Sequence, residues 1–227
     1  MPVTSYDATV ADTVTGTLVP GKGERTRRRL LDIAVRRFAA DGFRRTSVSD
    51  IAREAGLTPA AAYAYFAGKE GLFQAAVDAD AAALIDAARL AAAGGASAGE
   101  QLFLFVAELR ERVDEYPLAR RVLSGLEPEV AARLVTIPSL VTLTAGLADD
   151  LAVARAAGEI RSDVDPAELA VGLETIVLAL LMAELQTGLT VEPERQAGVL
   201  AVLDAALRPA PEAITRSSAP PAPQPGA

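Results

Sequence analysis

The chain has 227 residues, half of them apolar but only 4% aromatic, which is enough for a sizeable core built largely from alanine and leucine. It contains no cysteine and no histidine, which excludes disulfides, thiolate metal sites and imidazole acid–base chemistry. The net charge of −8 is unevenly spread: residues 22–70 carry 11 basic and 6 acidic side chains, whereas residues 71–227 carry 11 basic and 22 acidic. A basic segment on an acidic body suits a chain that meets a polyanion at one end only.

Residues 1–21 show no periodicity and read as a flexible arm, without the basic start and apolar run of a secretory leader. A first helix is expected from about 24 to 40, with Leu30, Ala34 and Phe38 on one stripe and Leu31 and Val35 beside it. Asp41-Gly42 is expected to stop it. Ser47, with Asp50 three residues on, reads as a capping box opening a second helix, whose Val48, Ile51, Ala52 and Ala55 point inward. Gly56-Leu57 makes a turn. Thr58-Pro59 then opens a short third helix, threonine as N-cap and proline at the first helical position. A long fourth helix begins at Gly68-Lys69-Glu70 and runs through Leu72, Phe73, Ala76, Val77 and Leu84 towards Gly94-Gly95.

Downstream, Ser97 with Glu100 opens a helix that ends before Pro117. Pro128 and Pro138 divide the next region into a short helix and a longer one ending near Gly158. Asp165-Pro166-Ala167-Glu168 caps a helix reaching Thr187, and Pro193 opens the last, to about Leu207. Residues 209–227, rich in Pro, Ala and Ser, have little to bury and read as disordered. The expectation is an all-α chain of about nine helices: a DNA-binding unit over 22–70 and a helical regulatory and dimerisation unit over 71–208. No apolar run is long enough for a membrane span, so the chain reads as soluble and cytoplasmic.

The informative stretch is TSVSDIAREAGLTPAAAYAYFAGKEGLF, residues 46–73. A short helix, a glycine turn and a second short helix form what a helix-turn-helix needs to place one helix in a major groove. The outer face of the third helix, Thr58, Ala60, Ala61, Tyr63 and Tyr65, is small and polar, so it can approach bases closely. Phe66, Leu72 and Phe73 read as core residues locking the third helix to the fourth. Arg25, Arg27, Arg28, Arg29, Arg44 and Arg45 would supply affinity rather than sequence choice, if they are more than a solvated face.

The segment from about 25 to 77 resembles the DNA-binding domain of the TetR family of bacterial regulators. Thr46-Ser47-Val48, Ile51-Ala52, Ala55-Gly56-Leu57 and the run from Tyr63 through Tyr65-Phe66 and Lys69-Glu70 to Leu72-Phe73 carry the likeness. The resemblance implies Thr46, Tyr63 and Lys69 as phosphate contacts, and Thr58, Pro59, Ala60, Ala62 and Tyr65 on or beside the recognition helix. Arg28, Arg44, Arg45 and Ser47 complete the expected DNA surface. Tyr65 stands where a histidine is frequent in the family, and Ala64 where an aromatic or arginine often occurs.

The resemblance also implies a homodimer on a palindromic double-stranded DNA operator, with repression relieved by a small-molecule effector. A co-repressor-dependent regulator or activator would share the same site, and a ligand-binding protein that has lost DNA binding is the further alternative. No cofactor, metal or catalytic residue is expected, and the chain reads as a non-enzyme. Phe105, Leu109, Tyr116, Leu143, Leu147, Thr175 and Met182 are the candidates for an effector cavity. The set Phe103, Phe105, Leu109 and Tyr116 reads on spacing alone as ordinary core. Glu174, Thr175, Glu184 and Gln186 are polar positions in an otherwise apolar helix, facing a pocket, a partner chain or water. The last two helices are apolar on more than one face, and Leu169, Leu173, Ile176, Leu180, Val199, Val202 and Leu203 are the expected dimer contacts.

Overall fold

A computed structural model of the chain describes residues 21–128, 134–188 and 193–209. The arm expected over 1–21 and the tail over 209–227 lie outside these, apart from Gly21 and Pro209. The described residues hold nine α-helices and no strand: α1 (Lys22–Arg45), α2 (Val48–Glu54), α3 (Pro59–Tyr63), α4 (Gly68–Ala92), α5 (Ala98–Arg112), α6 (Pro117–Leu123), α7 (Pro138–Ala156), α8 (Pro166–Thr187) and α9 (Pro193–Leu207). Short 3-10 turns at Val113–Glu115 and Leu134–Thr136 precede α6 and α7.

The boundaries follow local chemistry. Thr58 Oγ1 accepts from the Ala61 amide and Asp165 Oδ1 from the amides of Ala167 and Glu168, so the two Thr/Asp-Pro starts are capped as expected. At Ser97 the cap is reciprocal: its hydroxyl accepts from Glu100 N, while the Glu100 carboxyl accepts from Ala96 N. The box expected at Ser47 does not form. Ser47 Oγ accepts from Ser49 N, and Asp50 turns outward to pair with Arg53 at 2.8 Å. Gly42 interrupts α1, at φ 78° and ψ 169°, but the chain winds one more helical turn to Arg45, so it is a kink rather than a stop.

One continuous core runs from α1, α2 and α3 through α4 into α5 and α6 and reaches Leu181 of α8. At its centre Phe73 meets Phe38 edge-on at 4.8 Å and Phe43 at 5.0 Å, an arrangement aromatic rings favour. A second cluster joins the far ends of α7, α8 and α9 through Leu151, Ala154, Ile160, Ala170, Leu173, Leu203 and Leu207. Helix α4 connects the two ends: its first turns pack on α1 and α2, its remainder on α5, α6 and α7.

Two carboxylates of α4 anchor the helices that follow. Asp80 Oδ2 accepts from the amides of Leu118 and Ala119 at 2.9 and 2.8 Å, at the start of α6. Asp78 Oδ1 accepts from Ser139 N at 2.8 Å, at the start of α7. Both helices open with proline and have no side-chain cap of their own, so α4 supplies the acceptors their first turns lack. Burial pushes the Asp80 carboxyl above its ordinary pKa, opposed by its two backbone hydrogen bonds.

Candidate nucleic-acid interface and ligand cavity

The head (α1 to α3 and the start of α4) presents α3 on a fixed base. Gly56 at φ 70° makes the turn that a side chain would strain. Ile51, Ala52 and Ala55 are buried beneath it, and Glu54 ties α2 back to α1 through Arg37 Nε at 2.8 Å and Arg36 at 3.3 Å. The hydrogen bond from Arg37 lowers the Glu54 pKa, chiefly, with a smaller contribution from Arg36.

The expected DNA-facing residues divide into three groups. Thr58, Pro59, Ala60 and Tyr63 are exposed on α3, Tyr63 by 53%, and Arg28, Arg44 and Arg45 are exposed on α1. Arg45 Nε also donates to the Asp41 carbonyl, which steadies the last turn of α1. A second group is partly engaged within the head. Tyr65 is half-buried against the core, Ser47 caps α2, and Lys69 donates to the Arg44 carbonyl at 3.1 Å while lying 4.6 Å over the Phe43 ring. The third group faces inward. Ala62 is 1% exposed beneath α3. Thr46 is 6% exposed, with its hydroxyl against the Gly42 carbonyl at 2.8 Å and the Arg37 carbonyl at 3.3 Å. These two side chains face the interior of the head. Arg27 packs over Phe66 at 5.2 Å, a role that its place in an arginine run does not reveal.

Residues that the sequence does not single out join the kink of α1 to the body. Glu127, 8% exposed, accepts from Phe43 N at 3.2 Å and from Arg121 Nε at 2.8 Å, and Arg121 reaches the Ala39 carbonyl at 3.4 Å. A Cβ on Gly42 would stand 2.5 Å from an Arg121 nitrogen and 2.8 Å from Glu127. Neither charged residue lies in a recognisable pattern; an ion pair so far along the chain from the glycine it serves has no local signature.

In the body, α4, α5, α7 and α8 line a partly open cavity of about 300 Å³. Phe105, Leu109, Leu143 and Leu147 are among its walls, with Val77, Ala81, Leu84 and Ile85 of α4 opposite. Its polar lining is confined to Arg89, Gln101, Thr144, Asp150 and Glu174. Three expected lining residues are elsewhere. Tyr116 and Met182 pack against the main core, and Thr175 is exposed, its hydroxyl donating to the Val171 carbonyl. Of the other polar residues of α8, Glu184 pairs with Arg110 of α5 at 2.8 Å, which lowers its pKa, and Gln186 donates to the Leu123 carbonyl. Glu174 alone among them lines the cavity.

Residues 30–76 match the family model described as bacterial regulatory proteins, tetR family. A TetR-family regulator from Rhodococcus sp. is 27% identical, with 80% of this chain and 98% of that one superposed at a TM-score of 0.58. A TetR-family regulator from Marinobacter aquaeolei VT8 is 25% identical over 82% and 96% of the two chains, TM-score 0.53. Residues 30–76 thus carry a TetR-family DNA-binding domain. The fold extends to FadR from Bacillus subtilis, solved with stearoyl-CoA, at 20% identity over 80% and 99% of the chains and a TM-score of 0.61. Among curated proteins none matches.

The chain pairs this helix-turn-helix head with a C-terminal body that is all-helical among the described residues. No helix among the described residues is long and apolar enough to cross a membrane. The candidate dimer residues of α8 and α9 are not alike. Ile176 and Val202 are exposed, the latter by 63%, whereas Leu173 and Leu203 are buried inside the protomer, at 2% and 4%, in the cluster with α7. Leu169 and Val199 lie half-buried against that cluster, and Leu180 borders a groove between α5, α8 and α9. Leucine spacing alone cannot separate the two sides of a helix apolar all round.

Proposed function

We propose that this TetR-family protein is a repressor that binds a palindromic DNA operator as a homodimer and leaves it when a small molecule enters the body cavity. The observation that carries the reading is the double duty of α4. Leu72, Phe73 and Ala76 pack in the head's core, while Val77, Ala81, Leu84 and Ile85, on the same helix, wall the cavity. A ligand that changes the position of α4 therefore changes the seat of α3, and in a twofold dimer it changes the separation of two recognition helices that must reach successive major grooves. Thr58, Pro59, Ala60, Tyr63 and Tyr65 are the residues assigned to the groove, and Arg28, Arg44, Arg45 and Lys69 to the phosphates. Exposed Ile176 and Val202 favour α8 and α9 as the faces a second copy covers.

An effector can release DNA only if it binds the DNA-incompetent arrangement more tightly, and DNA must then weaken the effector by the same factor. The test is selection of bound sequences from a random DNA pool at two salt concentrations. The expected result is one enriched palindrome whose affinity falls steeply with salt. An enriched site without twofold symmetry would overturn the dimeric reading, and no enrichment at low salt would overturn operator binding by the protein alone.

A further inference from the structure

Within the cavity, polarity is concentrated at one place. Arg89 and Asp150, both well exposed and 4.0 Å apart, belong to the rim. Inside, Glu174 of α8 meets Thr144 of α7, whose hydroxyl is in hydrogen-bond contact with Glu174 Oε2 and lies 3.0 Å from the Leu140 carbonyl. A hydroxyl has a single proton to share between those acceptors. Glu174 Oε1 is buried and has no hydrogen-bond partner within the protein. A buried carboxyl oxygen without a donor is costly, and native folds retain few such groups. Around it the wall is Leu140, Leu143, Val177 and Leu178.

The shape is as informative as the chemistry. The wall follows α4 from Val77 to Ala93, on the order of 20 Å at 1.5 Å per residue, yet the volume is about 300 Å³. The space is extended along α4.

We propose that the cavity takes an elongated apolar effector carrying one hydrogen-bond donor, a hydroxyl or an amine, which docks on Glu174 Oε1. This rests on the reading of the cavity as the effector site. An ester, thioester or carboxylate turned towards Glu174 would set acceptor against acceptor, so ligands that present only carbonyl oxygens there are disfavoured. Glu174 is in this sense the specificity-determining residue, and Thr144 positions its carboxyl.

The test is calorimetric titration of the full chain with octan-1-ol, octylamine and methyl heptanoate, three probes of similar length. The expected result is binding of the alcohol or the amine about tenfold or more tightly than the ester, as one made or unmade buried hydrogen bond implies. Glu174→Leu should erase that preference, and the isosteric Glu174→Gln, which can offer its own N–H to the ester, should shrink it. Leu147→Trp, which fills the cavity, should abolish all binding. Circular dichroism of each variant establishes that it folds. If the ester binds as well as the alcohol, and Leu147→Trp abolishes both, the cavity stands as a ligand site and the donor rule is overturned. If no probe binds, or Leu147→Trp changes nothing, the reading of the cavity as the effector site falls with it.

Discussion

The head and the body are both all-helical, yet they treat internal space in opposite ways. In the head, two helices of 7 and 5 residues are pinned by side-chain caps and by a buried cluster of three phenylalanine rings, with Leu30, Ala34, Phe38, Ile51 and Ala52 at 0% exposure. In the body, most helices run 15 to 25 residues and lean on one another through alanine and leucine, and where Ala81, Ala92, Ala93 and Ala119 stand along the wall, their small side chains leave a gap beside Phe105. A surface that reads DNA must hold one shape, and close packing around large rings provides that. A surface that receives a ligand needs room, which under-filled packing provides at some cost in stability.

The comparison breaks most easily at Phe38. Phe38→Ala should destabilise the protein by about 3–5 kcal/mol in urea unfolding and abolish DNA binding, since two ring partners lose their contact. A loss under about 1 kcal/mol would remove the ring cluster from the centre of the head. Gly42→Ala comes next: its backbone conformation alone should cost about 1–3 kcal/mol, before any displacement of Arg121 and Glu127. Measured by thermal unfolding, an unchanged Tm would show that the kink accommodates a side chain. Leu143→Ala, on the cavity wall, should cost less than about 2 kcal/mol because the space beside it is already open. A cost equal to that at Phe38 would erase the contrast between the two regions.

A finer probe is Asp80→Asn, which keeps an oxygen for the amides of Leu118 and Ala119 but removes the titration. Burial holds the folded-state pKa of Asp80 above the ordinary aspartate value of 3.8, so the folded protein holds the proton more tightly than the unfolded chain. The stability contributed by that proton is present below pH 3.8 and is lost as pH rises through the folded pKa. Wild type should therefore lose stability relative to Asp80→Asn as pH rises from 3.8 towards neutrality, read by chemical unfolding at both ends. A difference that grows in the other direction would contradict the burial argument. The smallest effect is expected at Lys69→Ala, which should weaken binding to all DNA sequences alike and lower the salt slope by about 0.9 per lost phosphate contact. An unchanged slope would leave Lys69 as a brace for the end of α1 alone.

How far the residues foretold this molecule depends on the range over which each acts. Thr58-Pro59 and Asp165-Pro166 each fix a helix start within four residues, and both starts are where their spacing puts them. The family likeness in 46–73 is equally local. The inward placement of Ala62 is not legible in the sequence, because α3 is a five-residue helix whose buried and exposed sides are separated by single alanines, which differ in nothing but position. The burial of Thr46 is equally hidden, because a hydroxyl beside a basic pair looks like a phosphate ligand, and only the fold brings it against the carbonyls of Gly42 and Arg37. Asp78, Asp80, Arg121 and Glu127 act across 6 to 84 residues, and no periodicity marks them. Glu174 was one of four equivalent polar positions until packing turned it alone towards the cavity.

The caps that Asp78 and Asp80 provide engage backbone amides, not side chains. An amide is the same whatever residue carries it, so the framework that registers α6 and α7 on α4 is indifferent to most of the side chains that project from those helices. Substitution along the cavity can then proceed while the helix starts stay moored. A chain built this way can exchange one chemical signal for another over generations and keep the same lever beneath its reading head.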